Sequence, residues 1–219
     1  MSATAVNYME MIERMPPDSR LFLRDVSWED YEQLLAELEE KPRVRISFDR
    51  GSMEVMTLSF RHEKWKSLFG HLLAILTEEL DLSFIGAGPV TLRRDDAQKG
   101  KEPDDCYYIQ HALEMQGKDE INLAVDPAPD LAVEIDVSSP TLNKLPIYAD
   151  LGVPEVWIFD GQETTFYQLR DGAYVEAAAS VVFPFLTATD LTNFLHLGHS
   201  GEITSMRRAF REWVQAHKG

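Results

Sequence analysis

The chain has 219 residues, of which 44% are hydrophobic and 26% charged, so it suits one globular domain with a substantial core and is not disordered or low-complexity. Its 21 basic and 37 acidic residues give a net charge of −16, and the average field therefore repels nucleic acids. No segment approaches the roughly 18 apolar residues of a membrane span. The single cysteine, Cys106, cannot form an internal disulfide, and no Cys/His cluster suits zinc. We therefore expect a soluble cytoplasmic protein.

The N-terminal part of the chain predicts a leader, a helix and a hairpin. Residues 1–26 have the character of a polar leader. Ser27 can then cap a helix whose apolar residues keep helical spacing as far as Pro42. The segments 44–48 and 53–58 flank a turn, which predicts two paired strands.

A long core helix is the next predicted element. An apolar stripe runs from about residue 62 to residue 80 at helical spacing. His62 and Glu63 lie in its first turn, from which either could reach a site. The simpler interpretation is structural, with Glu63 complementing the helix dipole and His62 packing locally. The following residues, 93–101, read as a polar stretch.

The stretch 129–137, which we call the acidic strand, sets several acids into an apolar strand. Alternation places Asp130, Glu134 and Asp136 on one face and apolar side chains on the other. Unpaired carboxylates are costly to bury, so acids on a buried face need a lysine or a bound metal ion. A half-exposed strand with solvated acids is an equal alternative from this stretch alone. Crowding also predicts that Glu134→Ala relieves repulsion and preserves or raises stability.

Two further strands flank the acidic strand in sequence. Residues 102–109 predict a strand with Asp104 at its start, and residues 155–159 predict an apolar strand. A short helix with Lys144 at its beginning precedes the second of these. Because a helix connects it to the acidic strand, a parallel crossover in an α/β layer is favoured.

The C-terminal part predicts a hairpin and an amphipathic helix. The hairpin covers residues 165–176, around an Asp-Gly turn. The helix covers residues 200–219, and its apolar face could cap the core or form a homodimer.

Several motifs, taken in order, carry a resemblance to a known family. They are Asp49-Arg50-Gly51, Arg61-His62-Glu63, Glu102-Pro103-Asp104, the acidic strand with Ser138-Ser139-Pro140, Lys144, Tyr148 and Gly152-Val153-Pro154-Glu155-Val156-Trp157. Together they resemble the Uma-two family of predicted restriction endonucleases, assigned to the PD-(D/E)xK nuclease superfamily. The resemblance implies one restriction-endonuclease-like domain over residues 1–219, of the mixed α/β (α+β) class. Its central mixed sheet would be flanked by helices, with an N-terminal helix and hairpin and a C-terminal helix.

The resemblance also implies a site. Asp104 and Glu134 match the two acids that hold Mg²⁺ (or Mn²⁺) in the superfamily, and such oxygen ligands suit this ion. The usual lysine position, two residues after the second acid, is Asp136 in this chain. Lys144 matches a lysine of the following helix that is taken to reach back into the site in the resembling family.

Three functions remain open at the level of sequence. The first is a Mg²⁺-dependent endonuclease that hydrolyses phosphodiester bonds of DNA, with His62 or Glu63 completing the catalytic group. The alternative is a catalytically weak or inactive nuclease fold that serves as a binding or regulatory module, which the net charge and the displaced lysine favour. A glycoside hydrolase is remote, because no aromatic sugar platform lies near the acids.

A DNA substrate needs cations near the site, despite the acidic total. Arg93, Arg94 and Lys101 lead directly into the strand headed by Asp104 and could flank the mouth of a cleft. We therefore expect weak DNA binding through these three residues, with a steep dependence on salt.

Overall fold

Two β-sheets and seven helices form the part of the chain that the structure, a computed structural model, describes: residues 8–38, 43–137 and 142–219. The elements are α1 (Tyr8–Glu13), β1 (Arg20–Leu23), α2 (Trp28–Leu38), β2 (Val44–Asp49), β3 (Ser52–Thr57), α3 (Phe60–Glu79), β4 (Ile85–Gly86), β5 (Leu92–Arg94), β6 (Lys99–Lys101), β7 (Asp105–Tyr108), α4 (Ala112–Met115), β8 (Leu131–Ile135), α5 (Leu145–Leu151), β9 (Glu155–Phe159), β10 (Thr164–Arg170), β11 (Ala173–Ala177), α6 (Ala188–Ser200) and α7 (Ile203–His217). The predicted mixed α/β class is confirmed. The first seven leader residues, Pro42 and the motif residues 138–140 lie outside the described ranges.

The first sheet has the strand order β1-β3-β2-β6-β5, and all its pairs are antiparallel. The predicted hairpin forms its centre, with Asp49 opposite Ser52. Arg50 and Gly51 span the two-residue turn with φ of 43° and 90°, the positive values that suit the twist of a tight hairpin.

The two faces of this sheet differ in chemistry because its side chains alternate. One face packs under α1 and α2, where Phe48 stacks on Tyr31 with ring centroids 4.7 Å apart. The other face, which we call the charged face, is turned inward and carries Arg20, Arg45, Ser47, Glu54, Lys99 and Lys101. All six side chains are buried or nearly so. Such a buried polar surface requires partners from the rest of the molecule.

The second sheet has the strand order β11-β10-β9-β8-β7-β4. As predicted, the acidic strand (β8) and the following strand (β9) run parallel and are connected through α5. Leu131, Val133 and Ile135 face a core built with α3, α6 and α7. Ala132 faces the opposite side, where α5 packs with Ile147 and Tyr148. Strand β8 is therefore covered on both faces, as parallel strands usually are.

Several elements differ from the sequence-based expectation. The leader contains α1 and β1, and the polar stretch 93–101 contributes to the hairpin of β5 and β6. These strands have only three or four residues, too few for a periodic pattern, and pairing with neighbours defines them. Helix α6 was missed, although Thr187 and Asp190 form a capping box at its start.

The amphipathic C-terminal helix is present as α7. Its residues Met206, Phe210 and Val214 are buried in the main core. The apolar face thus caps the core, and the homodimer stays a prediction. Within the described ranges, no helix has the length and apolar character that a bilayer crossing requires.

Candidate active site

Charged side chains from both sheets meet in a buried cluster around Glu134. Lys144, immediately before α5, places Nζ 2.5 Å from Glu134 Oε2 and 2.5 Å from Asp136 Oδ1. Lys101 Nζ, from the charged face, lies 2.9 Å from Glu134 Oε1. The Tyr148 hydroxyl donates a hydrogen bond to the same oxygen. Glu134 is completely buried, so these contacts replace the water that its charge would otherwise require.

Asp104 lies beside Glu134 on the neighbouring strand. The antiparallel register pairs Asp105 with Val133, and its continuation sets Asp104 opposite Glu134. Asp104 Oδ2 accepts a hydrogen bond of 2.7 Å from the main-chain N–H of Ile135. Oδ1 is buried and has no hydrogen-bond partner among the described residues. An unpaired buried carboxylate oxygen is costly unless a further ligand or water satisfies it.

His62 joins this cluster from the first turn of α3. The Ser59 hydroxyl accepts from its main-chain N–H and so fixes the start of the helix. The buried ring places Nε2 3.1 Å from Asp104 Oδ2, close enough for an ion pair when the ring is protonated. Glu63 lies at the edge, with its carboxylate half exposed and 3.5 Å from His62 Nδ1. His62 therefore does more than pack locally.

Contacts within the cluster shift the pKa values of Asp104, Lys144 and His62 in favour of their charged forms. Burial alone would raise the pKa of Asp104, but His62, Lys144 and Lys101 hold that pKa well below its usual range. Burial likewise opposes a charge on Lys144, yet Glu134, Asp136 and Asp104 raise its pKa above the ordinary value. Burial also tends to lower the pKa of His62, and Asp104 outweighs it, so the pKa rises. Lys144 is consequently a charged hydrogen-bond donor rather than a free base.

Comparison with known proteins identifies the family. A family model described as "Uma2: Putative restriction endonuclease" matches residues 28–203. The chain belongs to this family. A crystal structure from Anabaena variabilis, described as "a putative nuclease belonging to DUF820", shares 16% identity over 74% of this chain and 98% of that chain, with a TM-score of 0.47. No curated protein matches the chain.

The segment that matches the Uma2 family begins after Arg20, yet Arg20 reaches the cluster. Its guanidinium donates to Glu54 Oε1 at 2.6 Å and to Asp136 Oδ1 at 3.0 Å. Glu54 Oε2 accepts from the main-chain N–H of Leu142 at 3.1 Å. Sequence reasoning missed Arg20 and Glu54. The one signal was Glu54 itself, an acid between apolar residues of a strand.

The predicted substrate-binding cations do not stay together. Arg93 and Arg94 are on the surface and pair with Glu32 at 3.0 Å and Asp96 at 2.6 Å. Lys101 is instead buried beside Glu134, and substrate binding by these three residues stays a prediction. Because side chains alternate along β6, Lys99 and Lys101 point to the charged face, and only Gly100 between them faces the outer, apolar side of the sheet.

The acidic strand also divides its acids. Glu134 and Asp136 enter the cluster, whereas Asp130 lies at the other end of the strand. Asp130 Oδ2 accepts from the main-chain N–H groups of Ile109 and His111, at 2.7 and 3.0 Å. Its role is to fix the turn after β7.

The cluster that contains Asp104, Glu134 and Lys144 borders open space. A cavity of about 480 Å³ is lined by Asp136 and Lys144 together with Asn143, Ile158 and Tyr167, among others. The charged groups of the cluster are Glu54, Asp104, Glu134 and Asp136 against Arg20, Lys101, Lys144 and His62. Among these described groups, a protonated His62 makes the total charge zero.

Proposed function

We propose that the protein is a Mg²⁺-dependent endonuclease that hydrolyses phosphodiester bonds of DNA. One observation carries the proposal: Asp104, immediately before β7, accepts from the main-chain N–H of Ile135, the residue after Glu134, and Lys144 contacts Glu134 at the border of an open cavity. Two acids and a lysine are the groups that the family resemblance implies for such a site. Membership of a family described as restriction endonucleases supports the same activity.

Asp104 and Glu134 fit a hard divalent ion in their chemistry. Their oxygens are the ligand type that Mg²⁺ prefers, and the unpartnered Oδ1 of Asp104 offers one coordination position. When bound, the ion would supply positive charge to the phosphate and lower the pKa of a water ligand. Glu134 would have to release a lysine contact to join Asp104, because both its oxygens are engaged. Among the described residues, no group of three or more His, Cys, Asp or Glu side chains is arranged to hold a metal.

The cations of the cluster suit a phosphate that enters from the cavity. Lys144 and Lys101 are held in a buried site, where a fixed positive charge stabilises developing negative charge more strongly than it would in water. Asp136 holds the Lys144 ammonium on one side, and His62 Nε2 lies 3.1 Å from Asp104 Oδ2.

DNA binding in this proposal relies on few surface cations. Arg93 and Arg94 are exposed and could exchange their acidic partners for phosphates. With a net charge of −16, binding is expected to be weak and to fall steeply with salt. Arg93→Ser combined with Arg94→Ser should reduce binding at low salt and leave the fold intact, as a filter-binding titration with circular dichroism would test.

A nuclease fold that serves as a binding or regulatory module is the second candidate. The observation that favours it is the saturation of Glu134, whose oxygens already meet two lysines and a tyrosine hydroxyl. Asp136 also occupies the position of the superfamily's usual lysine. In such a module the charges would neutralise each other and stabilise the fold.

Cleavage assays distinguish the two. Supercoiled plasmid, labelled linear DNA and labelled RNA are incubated with Mg²⁺, Mn²⁺ or a chelator. The proposal expects DNA cleavage that the chelator abolishes and that Asp104→Asn and Glu134→Gln each reduce at least about a hundredfold. Glu155→Gln is the matched control, since Glu155 is equally buried but binds main-chain groups outside the cluster. A folded parent that cuts none of these substrates would favour the module.

A further inference from the structure

Arg20 makes an unusual connection between the two sheets. It lies on β1, the edge strand of the first sheet, and its side chain is only 7% exposed. One guanidinium nitrogen contacts Glu54 of the same sheet, and another contacts Asp136 at the end of β8 in the second sheet. A planar guanidinium binds two carboxylates through donors in fixed directions, whereas the ammonium of a lysine acts as a point charge.

The partner that Arg20 reaches is the one that also holds Lys144. Asp136 Oδ1 lies 3.0 Å from Arg20 and 2.5 Å from Lys144 Nζ, so a single oxygen is shared by two cations. The main-chain N–H of Asp136 is fixed by a 2.7 Å bond to Phe159 O. The backbone of Asp136 is therefore anchored, and Arg20 sets the direction of its carboxylate.

The Arg20–Glu54 pair also contacts the main chain just before Lys144. Glu54 Oε2 accepts the main-chain N–H of Leu142, two residues before Lys144. The pair thus contacts Asp136, whose carboxylate binds the Lys144 ammonium, and also Leu142, which lies two residues before Lys144 in the chain.

We propose that Arg20 is a positioning residue that directs the Lys144 ammonium toward Glu134, acting through Asp136 and, with Glu54, through Leu142. This inference deepens the proposed nuclease function and rests on it. Where the superfamily places its lysine on the strand, this chain has an aspartate and brings a lysine from the following helix. Such a lysine needs a residue elsewhere in the chain to fix its position. Arg20, which precedes the segment that matches the family, supplies this contact through Asp136.

The test compares Arg20→Gln and Asp136→Asn with their double variant. Loss of the Arg20 contact should lower kcat about tenfold and leave KM within about twofold, because a small displacement of a catalytic group lowers the rate of the chemical step. The double variant should be slowed by clearly less than the product of the two single effects, since Arg20 acts in part through Asp136. Arg24→Gln, an exposed arginine of the same segment, is the control and should match the parent. An unchanged kcat in Arg20→Gln, or effects that multiply in the double variant, would overturn the inference.

Two further measurements cover the other outcomes. If Arg20→Gln does not fold, Arg20→Lys gives the same comparison, because it keeps the charge but replaces the rigid fork of donors with a point charge. If the parent cuts no nucleic acid, the proposed function fails, and the inference is judged by competitive acetylation of Lys144 with peptide mass spectrometry. Faster labelling of Lys144 in the Arg20 variant, and not in Arg24→Gln, supports positioning. Equal labelling rejects it.

Discussion

Removing the Glu134 carboxylate should destabilise the protein strongly. From sequence, Glu134→Ala was expected to relieve repulsion among crowded acids. The structure shows instead that Glu134 lies between the ammonium groups of Lys101 and Lys144, at 2.9 and 2.5 Å, and accepts from Tyr148. Its removal leaves two buried cations short of a counter-charge. The sign of the expected effect is therefore reversed.

The magnitude follows from the burial of all the partners. Glu134 is 0% exposed, and Lys101 and Lys144 are 1% and 4% exposed. Removing one member of a buried ion pair costs about 3–5 kcal/mol, because the other charge stays buried and unpaired. The freed Tyr148 hydroxyl adds to this loss, whereas Lys144 can still use Asp136, so we expect about 3–5 kcal/mol in total. This is a large part of the roughly 5–15 kcal/mol that stabilises a typical domain.

Urea unfolding followed by the fluorescence of the four tryptophans measures the effect. Asp96→Ala is the control, since Asp96 belongs to an exposed pair and its removal should leave the midpoint unchanged. Glu134→Gln combined with Lys144→Met should be less destabilising than the sum of the two single changes, because the pair is removed together. A Glu134→Ala protein that unfolds at the same or a higher urea concentration than the parent would refute this reasoning.

Two other predictions test neighbouring parts of the cluster. Because the pKa of His62 is raised by Asp104 against the effect of burial, its contribution to stability is complete below about pH 6.5 and is lost as the pH rises through the folded-state pKa. His62→Gln should weaken the fall of the urea midpoint as the pH rises above about 6.5, and an equal slope in both proteins would contradict the assignment. Gly100→Ala should lower the urea midpoint by overpacking worth about 1–3 kcal/mol, since its Cβ would lie 1.9 Å from the Tyr31 hydroxyl. Gly86→Ala, with 3.6 Å of space, should have a much smaller effect, and equal shifts would contradict the explanation.

Local pattern was sufficient for much of the fold. Alternation and turn chemistry predicted the hairpin of β2 and β3, and helical periodicity predicted α3 and α7. The parallel pairing of β8 with β9 followed from the helix between them. These features depend on residues close in sequence. The short strands β1, β5 and β6 depend on pairing with distant segments and were not predicted.

The candidate site divides in the same way. The family resemblance, which rests on motifs in the sequence, pointed to the acids Asp104 and Glu134 and to Lys144. The charges around them became visible only in the folded chain, since Lys101 and Arg20 come from a different sheet and their approach depends on how the two sheets pack. A sequence shows acids crowded along a strand. Cations that are distant in the chain but adjacent in space decide whether these acids repel one another or form ion pairs, because Coulomb energy depends on distance and burial rather than on sequence separation.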